Sequence, residues 1–282
     1  MIFEDLINFF KYVLDHILCS LKLCGDLNHI DVEILYLSKD YIIVNKPEDV
    51  FTNNHGKDRP SLDILLGKKY PHLVNSNLEY GFYFVHRLDY VTSGVLCIAL
   101  NKQACAIAST AMQKRISRKY YIALLRGHVS ADNMDLISPI GYCSRELNGN
   151  HIMCTADNGC CTSPRSAHTR LAVLERGVFM SYPATKVLML LVTGRRHQIR
   201  VHCSAIGHTV IGDYTYSGRR DTTPSRTFLH SYRLELGFGD INLQTNDPFT
   251  KNKLNGLWTP VEFVNKLGEN CLDLFNQPTI CS

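Results

Sequence analysis

The stretch from residue 86 to residue 94, HRLDYVTSG, decides how the rest of this chain is interpreted. It places the cation Arg87 two residues before the anion Asp89, and it ends in Thr-Ser-Gly before an apolar run. This pattern is typical of a polar turn that leads into a buried strand. Asp89 is therefore either a turn residue whose carboxylate caps nearby amides or a reactive group at the end of a sheet.

Two further segments carry residues suited to binding or chemistry. In residues 119–127, KYYIALLRG, strand alternation places Tyr120 and Tyr121 on opposite faces, so that one can face a cleft while the other packs. In residues 193–202, TGRRHQIRVH, a strand ends in a glycine turn and a helix begins. Basic and imidazole groups at such a helix start attract phosphate or carboxylate.

The surrounding sequence alternates short apolar runs with turns, which favours an α+β fold with a mixed, mainly antiparallel sheet and flanking helices. Residues 130–165 are rich in Gly, Asn, Ser and Cys and are predicted to be loop-rich, and the tail from Trp258 is predicted to end in a helix. The predicted strands cover residues 32–37, 41–45, 82–85, 94–100, 119–125, 169–174, 186–192 and 228–236, and the predicted helices cover 61–70, 102–115 and 197–206.

Composition sets wide limits on function. The chain has 282 residues, of which 45% are hydrophobic and 20% charged, as in an ordinary globular protein. Its net charge of +4 is compatible with a polyanionic partner but decides nothing alone. Residues 2–22 have apolar positions at helical spacing, so we expect an N-terminal helical extension over residues 1–29 before one large domain over residues 30–282. The charges of this segment argue against a targeting signal or a membrane span.

Metal, nucleotide and esterase chemistries lack their usual signatures in the sequence. The eleven cysteines include no C-x-x-C pair, so we expect no metal. We also expect the thiols to be reduced. A zinc-stabilised module around residues 143–168 is the alternative. His197 and His202 are five residues apart, which separates them around a helix. The sequence contains no phosphate-binding glycine loop, no dinucleotide fingerprint and no G-x-S-x-G elbow.

Together the three segments resemble the signature motifs of RluA-type pseudouridine synthases. Residues 86–94 resemble H-R-L-D-x-x-T-S-G, residues 119–127 resemble K-x-Y-x-A with a following glycine, and residues 193–213 resemble T-G-R-x-H-Q-[IL]-R-x-H through G-H-x-[VI]-x-G-D. The similarity spans about residues 32–236. It implies the pseudouridine synthase fold with a central catalytic cleft.

This resemblance implies an enzyme that isomerises uridine to pseudouridine in RNA without a cofactor. Asp89 matches the family's catalytic aspartate, Arg200 the arginine that pairs with it, and Tyr121 the tyrosine that stacks on the target base. Arg87 matches the arginine that fills the space left by the everted uridine, and Ile199 the apolar residue beneath the base. The complete implied substrate-binding set is His86, Arg87, Arg195, His197 and Ile199.

The resemblance also implies an RNA partner, with tRNA, rRNA and mRNA all open as substrates. We expect a monomer in the cytoplasm, with a nuclear or mitochondrial location left open, and no membrane partner. The alternative is a catalytically silent RNA-binding protein that has kept the fold. That alternative predicts loss of the carboxylate or its cation, and both Asp89 and Arg200 are present.

Overall fold

The structure is a computed structural model that describes residues 30–53, 59–145 and 152–276. The chain forms two compact units, one from its N-terminal part through Lys119 together with His230–Asn246, the other from Tyr120–Leu229 together with the part that follows Asp247. The helix predicted over residues 2–22 lies outside the described residues. The division into an N-terminal extension and one catalytic domain stays a prediction.

The described residues contain short strands and a few helices. In chain order the strands are β1 (Glu33–Leu37), β2 (Tyr41–Lys46), β3 (Tyr83–Phe84), β4 (Ser93–Ala99), β5 (Arg118–Arg126), β6 (Asn133–Leu136), β7 (Ile140–Cys143), β8 (Met153–Thr155), β9 (Cys161–Arg165), β10 (Thr169–Phe179), β11 (Tyr182–Leu191), β12 (Leu229–Glu235), β13 (Asn242–Gln244) and β14 (Trp258–Phe263). The α-helices are α1 (Leu62–Lys69), α2 (Lys102–Gln113), α3 (Gln198–Ala205) and α4 (Glu269–Asp273), and a 3-10 turn covers Pro71–Leu73.

The first unit is a sheet with strand order β1-β2-β4-β12, in which β3 also pairs with β4 and β13 with β12. The β4–β12 pair is parallel, whereas β1–β2 and β2–β4 are antiparallel. Alternate residues of β2 and β4, among them Ile43 and Val95, pack against Ala104 and Ala108 of α2. Asn101 caps α2 by accepting a hydrogen bond from the Ala104 amide at 2.9 Å.

The second unit contains two sheets. The larger has strand order β5-β11-β10-β14, with β6 also paired to β10, and all its pairs are antiparallel. The smaller is the three-stranded sheet β8-β7-β9. Ile140 of β7 and Met153 of β8 pack against Val201 of α3, so this small sheet supports the helix that carries the third motif.

The predicted α+β class with a mixed, mainly antiparallel sheet is confirmed, and two local predictions are wrong. The described part of residues 130–165 contains β6 to β9 rather than loops, because strands this short show little periodicity. The strands predicted over residues 169–174 and 186–192 are too short, because β10 continues to Phe179 and β11 begins at Tyr182. The hairpin turn between them lies at Met180 and Ser181, both at positive φ. The tail from Trp258 begins as a strand that pairs with β10 and, among the described residues, ends in the helix α4, as predicted. Within the described ranges, no helix is both long enough and apolar enough to cross a membrane.

Candidate active site

Asp89 lies on the loop between β3 and β4, and the residues on either side of it are fixed by hydrogen bonds. The Thr52 hydroxyl donates to the Leu88 carbonyl at 3.0 Å and accepts from the Leu88 amide at 3.2 Å. On the other side, the Lys46 ammonium donates to the Tyr90 carbonyl at 3.2 Å. Leu88 is buried, whereas Asp89 is partly exposed. The fold therefore holds the backbone of this turn and leaves the carboxylate within reach of solvent.

Lys46 is a fully buried cation at the end of β2. Besides the Tyr90 carbonyl, its ammonium donates to the carbonyls of Pro47 at 2.8 Å and Val50 at 2.7 Å. These bonds spread the charge over three backbone dipoles, which lowers the cost of burying it. Lys46 thus joins the end of β2 and the loop that follows it to the Asp89 turn.

Beyond Asp89 the chain enters β4 through a position that admits only glycine. The Thr92 amide donates to the Asp89 carbonyl at 3.0 Å and closes the turn. Gly94 has φ +112°, and a Cβ placed on it would lie 2.2 Å from the Ser231 carbonyl oxygen of β12. Such contact excludes every residue with a side chain. The Thr-Ser-Gly of the first motif therefore reflects the close parallel approach of β4 and β12.

The two residues before the turn differ in their surroundings. The His86 Nε2 accepts a hydrogen bond from the Cys97 amide at 3.0 Å. Burial, reinforced by the charge of Lys119, lowers the pKa of His86 to about 3, so the ring is neutral. Arg87, by contrast, is exposed. Substrate contact by His86 stays a prediction, and the structure gives the ring a second role in fixing the loop to β4.

In the second unit, Arg200 of α3 is held by a buried carboxylate. Its Nε and Nη2 donate to Asp213 at 2.6 and 2.8 Å, and Asp213 is fully buried. The Tyr216 amide donates to the same carboxylate at 3.1 Å, and the guanidinium carbon lies 5.0 Å from the centre of the Tyr216 ring. This two-pronged pairing fixes the plane of the guanidinium.

The turn before α3 is organised by Gln198, which is 2% exposed. Its Oε1 accepts hydrogen bonds from the Thr193 hydroxyl at 2.7 Å and the Arg195 amide at 3.0 Å. Its Nε2 donates to the His168 carbonyl at 3.0 Å and to the Thr169 hydroxyl at 2.9 Å. Gln198 thereby ties the third motif to the start of β10.

The other predicted residues of this unit are placed by the same elements. His197 has φ +55°, immediately precedes α3, and its Nδ1 lies 2.8 Å from the Tyr216 hydroxyl. Arg195 is partly exposed, and its Nε donates to the Ser166 carbonyl at 2.9 Å. Ile199 on α3 and Tyr121 on β5 are 4% and 5% exposed. Tyr121 is therefore mostly covered by protein, and its position in a cleft stays a prediction.

The structure thus places the predicted residues in two groups. His86, Arg87 and Asp89 belong to the first unit, and Tyr121, Arg195, His197, Ile199 and Arg200 belong to the second. Sequence reasoning missed the residues that hold these groups, which are Lys46, Thr52, Gln198 and Asp213. Gln198 and Asp213 lie inside the third motif, and Lys46 lies in the Val-Asn-Lys-Pro run at residues 44–47. The sequence therefore marks these three positions, but it does not show which groups they contact.

Comparisons with known proteins agree with the motifs. Residues 40–205 match the family described as RNA pseudouridylate synthase. The chain is 40% identical to RNA pseudouridylate synthase domain-containing protein 1 of Danio rerio, over 84% of this chain and 81% of that protein. It is 28% identical to the dual-specificity RNA pseudouridine synthase RluA of Vibrio vulnificus, over 86% of this chain and 89% of that protein.

Among solved structures, the fold is similar to human RNA pseudouridylate synthase domain containing 1, with a TM-score of 0.76 at 36% identity. That match covers 88% of this chain and 96% of the human chain. The insertion around residues 143–165 and the run Asn246-Asp247-Pro248 suggest a likeness to the same protein from sequence alone.

Proposed function

This chain belongs to the RNA pseudouridylate synthase family and is an RNA pseudouridine synthase, and we propose that Asp89 is the carboxylate that carries out its reaction without a cofactor. One observation supports this role above the others. The backbone on both sides of Asp89 is held by buried Thr52 and Lys46, whereas Asp89 itself is partly exposed. A carboxylate held in this way is already positioned to react.

The proposed reaction conserves every atom of the nucleoside. The N1–C1′ bond breaks, the uracil turns, and a C5–C1′ bond forms, while C5 loses a proton and N1 gains one. Asp89 either attacks C1′ and later departs, or removes and returns the C2′ proton. Because the step is an isomerisation with no net oxidation, it needs no redox cofactor. The target nucleoside must leave the base stack to reach the carboxylate.

We propose that Arg200 pairs with the Asp89 carboxylate, as the resemblance to the family implies. The guanidinium supports this role because Asp213 fixes its plane through Nε and Nη2. Tyr121 is proposed to stack on the uracil and Ile199 to contact it from below. Arg87, which is exposed, is proposed to fill the space of the everted nucleotide.

Asp89→Asn tests the central assignment, because it removes the charge while keeping the size of the side chain. We expect the rate of pseudouridine formation in a mixed RNA substrate to fall by at least about a thousandfold. RNA affinity, measured by filter binding, should change little. Asp240→Asn is the matched control, because Asp240 is exposed and its φ of +49° suits asparagine.

Wild-type turnover by Asp89→Asn would overturn the assignment. Inactivity of the unaltered chain on tRNA, rRNA and mRNA, with RNA binding intact, would instead favour the catalytically silent alternative. Arg200→Ala should also lose activity, and its loss should not add to that of Asp89→Asn if the two groups act together.

We also propose that the enzyme acts as a monomer in the cytoplasm. Light scattering of the purified chain tests the first statement, and imaging of the tagged chain tests the second. Pseudouridine mapping of total RNA, with and without the protein, identifies which RNA class is modified.

A further inference from the structure

The small sheet β8-β7-β9 presents cysteines on the face that does not pack on α3. Its register pairs Cys143 with Cys161, and Gly141 with Cys154. Because side chains alternate along a strand, Cys143, Cys154 and Cys161 share one face with Gly141. Ile140 and Met153 belong to the other face, which packs on Val201. The strand pairing thus gathers thiols that are far from a regular spacing in the sequence.

Two sulfur atoms of this face converge with a third, from Cys160 immediately before β9. The Sγ atoms of Cys143, Cys154 and Cys160 all lie within 4.8 Å of one another. The Cys143 and Cys160 sulfurs are 2.7 Å apart. Thiolates that bind one tetrahedral zinc ion at about 2.3 Å lie roughly 3.8 Å from each other. A small outward rotation of one side chain therefore gives the spacing of a zinc site.

A disulfide explains this cluster less well than an ion does. A disulfide joins two sulfurs at about 2.05 Å and leaves the third without a role. Cys161 adds a further thiol on the same face, where its Sγ lies 3.6 Å from the Cys154 carbonyl oxygen. A Cβ on Gly141 would lie 2.3 Å from the Thr162 carbonyl oxygen and 2.7 Å from the Cys161 Sγ, so only glycine fits at this point of the sheet.

We propose that Cys143, Cys154 and Cys160 bind one Zn²⁺ through their thiolates, and that the ion holds β7, β8 and β9 together beneath α3. Each thiol releases its proton when the metal binds. Three thiolates select a soft or borderline cation over Mg²⁺ or Ca²⁺. Cys154 and Cys160 are buried and Cys143 is partly exposed, which gives the ion a route of entry.

The proposal reverses the expectation of no metal that the spacing gave. Close C-x-x-C pairs place two ligands together within one turn, and this chain has none. In this sheet the pairing of the strands, rather than a tight turn, brings the cysteines together. The structural reason for an ion is the small size of the sheet, since Ile140, Met153, Ala167 and Val201 form its buried cluster. So small an apolar cluster stabilises short strands weakly.

Elemental analysis of the full chain, expressed with added zinc and purified without a metal column, tests the proposal. We expect about one zinc ion per chain, as in a structural thiolate site. Cys143→Ser, Cys154→Ser and Cys160→Ser should each lose most of it. Cys105→Ser is the matched control, since this partly exposed cysteine lies on α2 in the other unit.

Cobalt substitution of the unaltered chain gives a second measurement that does not depend on the folding of variants. Tetrahedral thiolate ligation predicts intense visible bands and a near-ultraviolet charge-transfer band from Co²⁺. Absence of both zinc and these bands after reconstitution would refute the proposal. So would a Cys143–Cys160 disulfide found by mass spectrometry of the protein purified without reductant. Asp89→Asn should bind zinc normally, so failure of one proposal leaves the other open to test.

Discussion

Lys46→Met tests whether the Asp89 turn depends on a buried ammonium. Lys46 is fully buried and donates to the carbonyls of Pro47, Val50 and Tyr90 at 2.8, 2.7 and 3.2 Å. Hydrogen bonds to charged groups contribute about 1.5–3 kcal/mol each, but the cost of burying the ammonium offsets much of their sum. Methionine has a similar length and no donor, so three carbonyls lose this partner. We expect the free energy of unfolding to fall by about 3–5 kcal/mol.

Urea unfolding followed by circular dichroism measures this loss. Lys69→Met is the matched control, because Lys69 is 41% exposed and pairs with Asp31, which is 81% exposed. That exposed pair should contribute little to stability. The contrast between the two variants separates the effect of the buried contacts from the effect of removing a lysine.

Activity is measured at a temperature where Lys46→Met remains folded. Lys46 is a positioning residue, so its loss should lower kcat for pseudouridine formation and leave KM for RNA nearly unchanged. This reasoning is refuted if Lys46→Met keeps an unfolding free energy within about 1 kcal/mol of the unaltered chain and has the same kcat.

Two further perturbations concern the same unit. Gly94→Ala places a Cβ 2.2 Å from the Ser231 carbonyl oxygen, so we expect unfolding at ordinary temperature or a free energy of unfolding lowered by more than about 3 kcal/mol. The control Gly218→Ala, with positive φ and no neighbour within 4 Å, should lower it by only about 1 kcal/mol. Thermal melts compare the two variants, and equal losses would contradict the steric argument. Burial holds the pKa of His86 at about 3 against an ordinary 6.5, so between these values the unfolded state binds the extra proton, and stability falls as pH falls. His86→Gln should remove about 2 kcal/mol of the loss seen between pH 7 and pH 5, whereas identical pH profiles would contradict a ring that stays neutral in the folded state.

Much of the fold could be predicted because its central strands are strongly apolar. β4 is buried along its whole length, and its sequence is continuously apolar after Gly94. The end of α3 was visible from Gly207, which has φ +82° as a helix stop requires. The strands β7, β8 and β9 could not be seen, because they have four, three and five residues and gain their order from pairing with one another. Local pattern carries no information on such pairing.

The same limit applies to the candidate site. The motif identifies Asp89 as a candidate, but the groups that hold its turn come from elsewhere in the chain. Thr52 is 36 residues from Leu88, and Lys46 is 44 residues from Tyr90. A lysine that follows Asn45 at the end of β2 looks like an ordinary strand end until the structure shows which groups its ammonium contacts. Reactive groups can be recognised by type, whereas positioning groups are recognised only by contact.

Asp213 shows why the third motif extends so far beyond Arg200. Its carboxylate is fully buried and accepts hydrogen bonds from the Nε and Nη2 of Arg200 and from the amide of Tyr216. A lysine at position 200 offers one nitrogen and could not engage both oxygens in this way, so the site requires arginine. A glutamate at position 213 would displace the guanidinium by the length of one methylene. Arg200 and Asp213 are thirteen residues apart in the sequence and in direct contact in the structure. The end of the motif therefore orients the guanidinium that its beginning supplies.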